Sequence, residues 1–499
     1  MSRRFVGLRD RPPRERYDVV VIGAGIGGLV CAALLAGAGL QTLLIEQHYM
    51  AGGYCSTFRR RGFTFDASTH FYPLLGNPET ITGRLLRELG VETRWVKMDP
   101  VDTFHLPDGT RFDVPADLET YLAAVKRRFP AEAEALDRFF ADVRQAYVVG
   151  LQHYFRNQPA TRLAEYEPLT VRDMLDRHFS DPRLKLLLTA DCPHWGSPPA
   201  RTSFVFDSML RLSYFLGNYY PVGGSQQFAD ELGRVVEARG GDILMSTRVE
   251  RIAVDRGRVT GVEIETTRGA LRGRRSIAAE RVVSNADLLL TLERLLGPFA
   301  DPEQVAMVRR LRPTFPCFLS HIGLRGVDRH DLQRAQGYYW QGWDPDLVGR
   351  GALRCKIFVP TVYEPDLAPP GGDVVILQKV LELDSDEVTD WPAHKAEVEA
   401  YVFDHLCRVL PGVERHVVVR LSASARTAER FTFNRQGAML GWEMSPDQLG
   451  QKRPALASTV GGLFFVGHWT RPGGGVTPVI VSAMQAVAAI QAGHPVATG

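Results

Sequence analysis

Several features that mark whole classes of protein are scarce in this sequence of 499 residues. Its six cysteines form no CxxC pair and its 13 histidines no HExxH motif, so neither a metal site nor a redox dithiol is predicted. The net charge is only +2, so the sequence lacks the excess of basic residues that is typical of nucleic-acid-binding proteins, and no nucleic-acid partner is predicted. No signal peptide is recognisable, and a reducing, cytoplasmic compartment is therefore expected.

Two segments raise the question of membrane contact. Residues 19–40 form an uncharged apolar run about as long as a membrane-spanning helix, but the run contains six glycines, which favours a buried strand, a glycine turn and a buried helix. Residues 1–16 carry six arginines against Asp10 and Glu15. We expect a flexible basic tail there, and contact with anionic lipid is the alternative.

The turn after the first strand has the pattern of a dinucleotide-binding site. Residues 18–22 are typical of a parallel strand, and residues 29–38 of a helix. In the GxGxxG pattern between them the first glycine makes the turn, the second admits a pyrophosphate and the last allows close helix packing. An acid after the second strand, at residues 41–45, can accept hydrogen bonds from ribose hydroxyls. The residues predicted to bind the cofactor here are Gly23, Ala24, Gly25, Ile26, Gly27, Gly28 and Glu46.

Three further segments resemble the FAD-binding amine-oxidase and phytoene-desaturase superfamily. One is the glycine pair Gly52-Gly53 with the arginine-containing segment that follows it to residue 66. The second is residues 240–252, where the resemblance implies that the backbone at Val249 reaches adenine. The third, residues 461–478, implies a flavin loop at a helix N-terminus, and no single cofactor group is assigned to its histidine. The predicted cofactor is thus FAD rather than NAD, with the flavin loop contributing Gly467, His468, Gly474, Gly475 and Val476.

The resemblance narrows to carotenoid desaturases, carotenoid cis–trans isomerases and retinol saturases. It rests on residues 62–71, 195–204, 219–226 and 437–443. It implies a long hydrophobic polyene as substrate, with three reactions left open: desaturation, in which flavin N5 accepts a hydride, its reverse, and isomerisation assisted by reduced flavin. An insoluble substrate implies peripheral membrane contact, on the inner face if the protein is cytoplasmic. The aromatic residues between 204 and 220 are expected in a buried helix, a tunnel wall or a membrane contact.

The order of the cofactor segments predicts an α/β protein with a discontinuous Rossmann-type FAD-binding domain. This domain is expected to comprise residues 17–100, 222–310 and 450–499, and an α+β substrate domain with a helical cap to comprise residues 101–221 and 311–449. Helical periodicity is expected at residues 118–147, 171–188 and 392–410, and strands at 315–324, 352–362 and 373–383. A second GxGxxG unit with its acid is absent, so no NAD(P)H domain is predicted, and the electron acceptor and oligomeric state stay open.

Catalytic residues are harder to predict. His70 is the best-placed candidate because its segment leads from the glycine pair towards the flavin, and it is equally suited to a structural role. Tyr220, His194 and Glu443 are weaker candidates. Two other functions remain open on the same fold: an amine or amino-acid oxidase, and a non-catalytic prenyl-lipid-binding protein similar to the GDP-dissociation inhibitors.

Overall fold

The computed structural model describes residues 5–8, 11–68 and 71–493. Its first sheet has seven strands and is built around Arg16–Ile22, whose Val19, Val20 and Val21 are fully buried. This strand pairs in parallel with Gly273–Ser284 on one side and Thr42–Ile45 on the other, as expected for a strand covered on both faces. The sheet runs in the order Thr247–Asp255, Arg258–Thr266, Gly273–Ser284, Arg16–Ile22, Thr42–Ile45 and Asp242–Leu244, and Leu463–Phe465 also pairs with Gly273–Ser284.

The apolar run at residues 19–40 is a strand, a glycine turn and a buried helix, as predicted. The helix Ile26–Gly37, here called the glycine-loop helix, packs against the C-terminal helix Val476–Gln491 and against Ser225–Ala238. Among the described residues, no helix combines the length and apolar character needed to cross a membrane.

The second sheet has seven strands and carries a helix on one face. Trp391–Val409 packs there, while side chains of the opposite face border a large cavity. The strand order is Val417–Ala423, Cys317–Arg325, Gly372–Val380, Leu353–Phe358, Gly337–Trp340, Asp102–His105 and Arg111–Val114.

A helical cap joins this sheet. The single helix predicted over residues 118–147 is two helices in the structure, Leu118–Arg128 and Ala133–Gly150, because Pro130 cannot continue the hydrogen bonding of the first helix. The helix predicted over residues 171–188 is likewise two helices, and Pro182 is the first residue of the second one. The α-helices not yet given are Ile81–Leu89, Leu163–Tyr166, Val171–His178, Pro182–Thr189, Phe204–Phe215, Leu288–Leu290, Pro302–Arg309, Arg329–Ala335 and Ala425–Thr432, and the remaining strands are Thr57–Arg60, Phe63–Asp66, Trp95–Lys97 and Tyr219–Pro221. The predicted fold class, a Rossmann-type α/β unit with an α+β unit and a helical cap, is confirmed.

The N-terminal segment differs in part from the expected flexible tail of residues 1–16. Phe5 and Leu8 are buried, and the Leu8 N–H donates to the Ile243 carbonyl at 2.7 Å. Arg11 contacts Asp242 at 2.8 Å. The apolar side chains interrupt the basic sequence and anchor the chain against the first sheet.

Candidate cofactor and substrate cavity

One cavity of about 920 Å³ extends from the carboxyl ends of the first sheet to the second sheet. At one end it is lined by the glycine turn after the first strand. At the other it is lined by the helix Phe204–Phe215, here called the cavity helix, and by residues of strand Cys317–Arg325. Pockets at the carboxyl edge of parallel sheets, where strand order reverses, are the usual nucleotide sites of this architecture.

The glycine turn places backbone N–H groups at the start of the glycine-loop helix. Gly23 has φ +93° and donates its N–H to the Ile45 carbonyl at 2.7 Å. A Cβ on Gly28 would lie 2.0 Å from the Gly23 carbonyl oxygen, so helix and turn approach more closely than any other residue allows. The helix N-terminus thereby faces the cavity with free donors and a positive dipole end, which suits a phosphate group.

Glu46 follows the strand Thr42–Ile45 and lies beside this turn. Its Oε2 accepts the Ala24 N–H at 2.7 Å, and its Oε1 accepts the His48 N–H at 2.8 Å. Burial raises the pKa of the Glu46 carboxyl, and the backbone hydrogen bonds oppose that rise. The carboxylate is thus held in one orientation at the cavity wall.

The second glycine pair and the adenine segment adjoin the same wall. Gly52 has φ +115° and donates its N–H to the Ala24 carbonyl at 2.7 Å. The Thr247 N–H donates to the Glu46 carbonyl at 2.9 Å, which brings the strand containing Val249 next to Glu46. Gly53 and Val249 both line the cavity.

The glycine loop before the C-terminal helix closes the cavity from the other side. The helix begins at Val476, and Thr477 Oγ1 donates to the Pro73 carbonyl at 2.9 Å. A Cβ on Gly474 would lie 2.1 Å from the Leu440 carbonyl oxygen. His468 Nε2 lies 3.2 Å from Asn434 Oδ1, and burial lowers the pKa of the imidazole to about 3, so this histidine is neutral.

Most of the cofactor residues predicted from the sequence meet at this cavity. Ala24 and Gly28 lie behind its wall, where one supports Glu46 and the other allows close packing. The candidate catalytic His70 lies outside the described residues and stays a prediction. The predicted residues that line the cavity are Gly23, Gly25, Ile26, Gly27, Glu46, Gly52, Gly53, Val249, Gly467, His468, Gly474, Gly475 and Val476.

Of the three weaker catalytic candidates, His194 lines the cavity. Tyr220 is fully buried and donates its hydroxyl to Asp66 Oδ2 at 2.5 Å. Glu443 is also buried and forms ion pairs with Arg201 at 2.8 Å and Arg312 at 3.2 Å. These contacts give Tyr220 and Glu443 structural roles.

Arg453 was missed by the sequence reasoning. Its buried guanidinium donates to the carbonyls of Thr470 at 2.9 Å and His468 at 2.7 Å, and also to those of Trp442 and Glu443. Burial lowers the pKa of Arg453 to about 9. It therefore joins the flavin-loop segment to residues 442–443, and a single arginine in an irregular segment carries no motif that would have revealed this.

The far half of the cavity is bordered by apolar and aromatic side chains. Phe206, Met209 and Leu210 of the cavity helix line it, whereas Phe204 and Val205 are fully buried in the cap. The helix therefore contributes both to the core and to the wall. The aromatic segment is thus both a buried helix and a wall of the cavity, which are two of the three possibilities that the sequence left open.

The two glycine loops meet at one cavity and fit a dinucleotide with a flavin at its far end. A helix N-terminus suits the pyrophosphate, a fixed carboxylate suits a ribose, and close backbone approaches at Gly28 and Gly474 exclude side chains from both loops. Fold and site together define a flavoprotein of the two-dinucleotide-binding type.

A family model described as "Flavin containing amine oxidoreductase" matches residues 26–491, and the chain belongs to this family. It is therefore an oxidoreductase-type enzyme rather than a lipid carrier, and the predicted FAD cofactor is confirmed. The chain is 26% identical to prolycopene isomerase 1 of an Oncidium hybrid cultivar, over 94% of this chain and 82% of that protein. It is 26% identical to a neurosporene-forming phytoene desaturase of Cereibacter sphaeroides, over 95% of this chain and 94% of that protein.

Human all-trans-retinol 13,14-reductase is 30% identical over 67% of this chain and 58% of its own length. Among solved structures, putrescine oxidase bound to putrescine superposes with a TM-score of 0.68 at 17% identity, covering 96% of this chain and 100% of the other. At that identity the likeness concerns the fold alone.

Proposed function

We propose that this enzyme acts on a long conjugated polyene, as a desaturase, a saturase or a cis–trans isomerase. The observation that carries the proposal is the single cavity that continues from the cofactor residues into an apolar compartment beside the cavity helix. The names of the three relatives refer to polyenes: prolycopene, phytoene and retinol.

We also propose how the cofactor is held. The glycine-loop helix receives the pyrophosphate, Glu46 accepts hydrogen bonds from the adenosine ribose, and the backbone at Val249 contacts adenine. The loop from Gly467 to Gly475 receives the flavin.

We propose that the chain divides into a cofactor domain of residues 17–100, 222–310 and 450–499 and a substrate domain. The two large sheets support this division, because the strands of each sheet come from one of these two sets of segments.

When bound, FAD supplies hydride acceptance and donation. The chain's own residues orient the polyene and exclude water from it. Phe206, Met209 and Leu210 provide apolar contacts along the cavity helix, where burial of apolar surface drives binding. The start of the C-terminal helix stabilises negative charge on a bound flavin through its dipole.

The charges of the cavity favour a polyene over an amine. Among the described residues that line the cavity, the carboxylates are Glu46 and Glu79. Glu46 is engaged by the glycine turn, and Glu79 is exposed at the surface. An ammonium group entering the apolar half would therefore meet no carboxylate, and a buried unpaired charge is strongly disfavoured.

The reaction is tested by incubating oxidised and reduced holoprotein with cis and all-trans carotenoids and analysing products by chromatography and mass spectrometry. Loss of hydrogen indicates desaturation, gain of hydrogen indicates saturation, and altered retention at constant mass indicates isomerisation. Turnover of amines with no change in any polyene would overturn the proposal.

A larger side chain in the apolar half of the cavity should lower turnover of the polyene while FAD remains bound. Leu210→Trp places an indole in the cavity, and kcat/KM for the polyene should fall about 10–100-fold, since overpacking costs about 1–3 kcal/mol. Leu212→Trp is the control, because Leu212 lies on the same helix and packs against the cap core without lining the cavity. Flavin absorbance measures cofactor retention. Equal loss of turnover in both variants would argue against substrate binding at this wall.

We further propose that the protein contacts a membrane peripherally at the openings of the cavity. Four apolar or aromatic side chains that line it are more than one-third exposed, as are Arg426 and Arg430 of the helix Ala425–Thr432. An exposed aromatic side chain next to an exposed arginine, as Phe431 is next to Arg430, suits an anionic lipid surface. The exposed residues are Tyr49, Leu216, Leu421 and Phe431.

Phe431→Ser should weaken co-flotation with phosphatidylserine-containing liposomes by about three- to tenfold, because the variant loses one apolar contact with the bilayer. Phe299→Ser is the control, since Phe299 is comparably exposed, at 39% against 53%, but does not line the cavity. Wild-type protein that does not float with liposomes, or that floats equally well with uncharged ones, would contradict this contact.

A further inference from the structure

Two arginines, Arg453 and Arg471, lie at the loop from Gly467 to Gly475 without lining the cavity. Arg453 is 1% exposed, and Arg471 is partly buried. We call these two residues the arginine pair. Because neither side chain borders the cavity, the two charges can act on a bound cofactor only across the loop and not by direct contact.

The Arg453 guanidinium donates four hydrogen bonds, all to main-chain carbonyls. Its Nε donates to Thr470 at 2.9 Å, and its Nη2 donates to His468 at 2.7 Å. The other two acceptors are the carbonyls of Trp442 at 3.2 Å and Glu443 at 3.3 Å. These bonds fix the position of the guanidinium, but carbonyl dipoles do not cancel its charge.

The glycines of the loop come close to this charge. A Cβ on Gly473 would lie 3.7 Å from Arg453 Cζ, and Gly473 has φ +143°. Gly475, two residues later, is followed directly by the C-terminal helix Val476–Gln491. The positive charge of Arg453 therefore lies beside the residues that lead into the helix N-terminus at the cavity.

Among the described residues, no carboxylate forms an ion pair with Arg453. The carboxylate of the neighbouring Glu443 is engaged by Arg201 at 2.8 Å and Arg312 at 3.2 Å. Burial lowers the pKa of the Arg453 guanidinium to about 9, with no acidic group opposing that fall, and the group is still a cation at neutral pH. A buried cation without a counter-ion is costly, and a negative charge placed near it reduces that cost.

Arg471 repeats this arrangement at a less buried position. Its Nε donates to the Arg453 carbonyl at 3.0 Å, and its Nη2 donates to the Gln451 carbonyl at 2.8 Å. Burial lowers the pKa of Arg471 as well. No carboxylate in the described part of the chain pairs with it. The loop thus has two cations whose partners are main-chain carbonyls.

We infer that the arginine pair stabilises the reduced form of bound FAD and thereby raises its reduction potential. This inference rests on the proposed placement of the flavin at the loop from Gly467 to Gly475. A flavin that accepts a hydride gains two electrons and one proton, hence one negative charge, which a fixed cation nearby favours. All three proposed polyene reactions involve reduced FAD. Arg453 and Arg471 are positioning residues, because they act on the cofactor through the loop.

The test measures the reduction potential of protein-bound FAD by anaerobic titration against a reference dye. The wild type should bind reduced FAD about tenfold or more tightly than oxidised FAD, which places its potential about 30 mV or more above that of free FAD. Arg453→Gln, which keeps an amide donor and removes the charge, should lose about tenfold of this preference. Arg453→Lys, which keeps the charge, should stay within about threefold of the wild type.

Lys452→Gln is the matched control. Lys452 is the preceding residue, is exposed, and donates its Nζ to the Pro446 carbonyl at 2.8 Å. The change removes the same unit of charge at a position screened by solvent, so the preference should stay within about twofold. Arg471→Gln is the second variant if Arg453→Gln does not retain FAD, as judged by flavin absorbance, and should lose about threefold.

A wild-type potential at or below that of free FAD would overturn the role of the arginine pair. So would a loss in Arg453→Lys as large as in Arg453→Gln, since the carbonyl bonds and not the charge would then matter, or an equal loss in Lys452→Gln. None of these results bears on the substrate. A wild type with the raised potential that converts no polyene would instead overturn the proposed function and leave this inference standing.

Discussion

Gly28→Ala is expected to leave the protein largely without FAD and to destabilise it by about 3 kcal/mol or more. The added Cβ would meet the Gly23 carbonyl oxygen at 2.0 Å, and because that atom is backbone, the glycine turn itself must move. The same turn carries the N–H groups that face the cavity. FAD content by absorbance and the free energy of unfolding by denaturant titration measure the two effects.

Gly37→Ala on the same helix is the matched control. Its Cβ would meet Arg239 Nη1, the end of a flexible side chain that can turn away. Alanine is also favoured over glycine in a helix by up to about 1 kcal/mol, so stability should change little and FAD should remain bound. Equal loss of FAD in both variants would mean that the effect comes from the helix and not from its contact with the turn.

Glu46→Ala should raise the Kd for FAD by about 100-fold or more. The change removes the proposed acceptor for the adenosine ribose and leaves the Ala24 and His48 N–H groups without their observed partner. Hydrogen bonds to a charged group contribute about 1.5–3 kcal/mol each. Titration of apoprotein with FAD, followed by flavin fluorescence, gives the affinity.

Glu79→Ala, at the other carboxylate of the cavity lining, should leave FAD affinity within about twofold of the wild type. The pH dependence provides an independent check. Burial raises the pKa of Glu46, so protonation begins above the usual carboxyl range as the pH falls, and wild-type FAD affinity should decrease with it. Glu46→Ala should lack that decrease, and the same pH profile in both proteins would exclude Glu46 as its source.

The cofactor end of the cavity could be predicted from the sequence because its determinants are local. The GxGxxG turn needs glycine at positions where backbone meets backbone, and its strand and helix immediately flank it. Residues 18–46 therefore contain every feature needed to predict the dinucleotide site. Helix and strand positions in the cap were also predictable, with ends displaced where Pro130 and Pro182 divide longer periodic segments.

The substrate end depended on contacts between distant segments. The strand register places Tyr338 beside Lys356, and Tyr338 reaches His194 at a separation of 144 residues. No spacing rule links these positions, so His194 was only a weak candidate and Tyr338 and Lys356 were not singled out. The partners of the buried Glu443 and Tyr220 could not be predicted from the sequence either, and the contacts with those partners give both side chains structural roles.

The sequence by itself determined a dinucleotide fold whose glycine pattern and distant loops resemble those of FAD enzymes, because close backbone approach restricts residue choice within a few positions. Only the tertiary structure decided that Glu46 and the loop at Gly467 border one cavity, that the cavity continues along an aromatic helix, and that a buried lysine lies behind a histidine of its apolar wall. Burial and hydrogen bonding between distant segments are set by packing, and packing is not encoded in any single stretch of the chain.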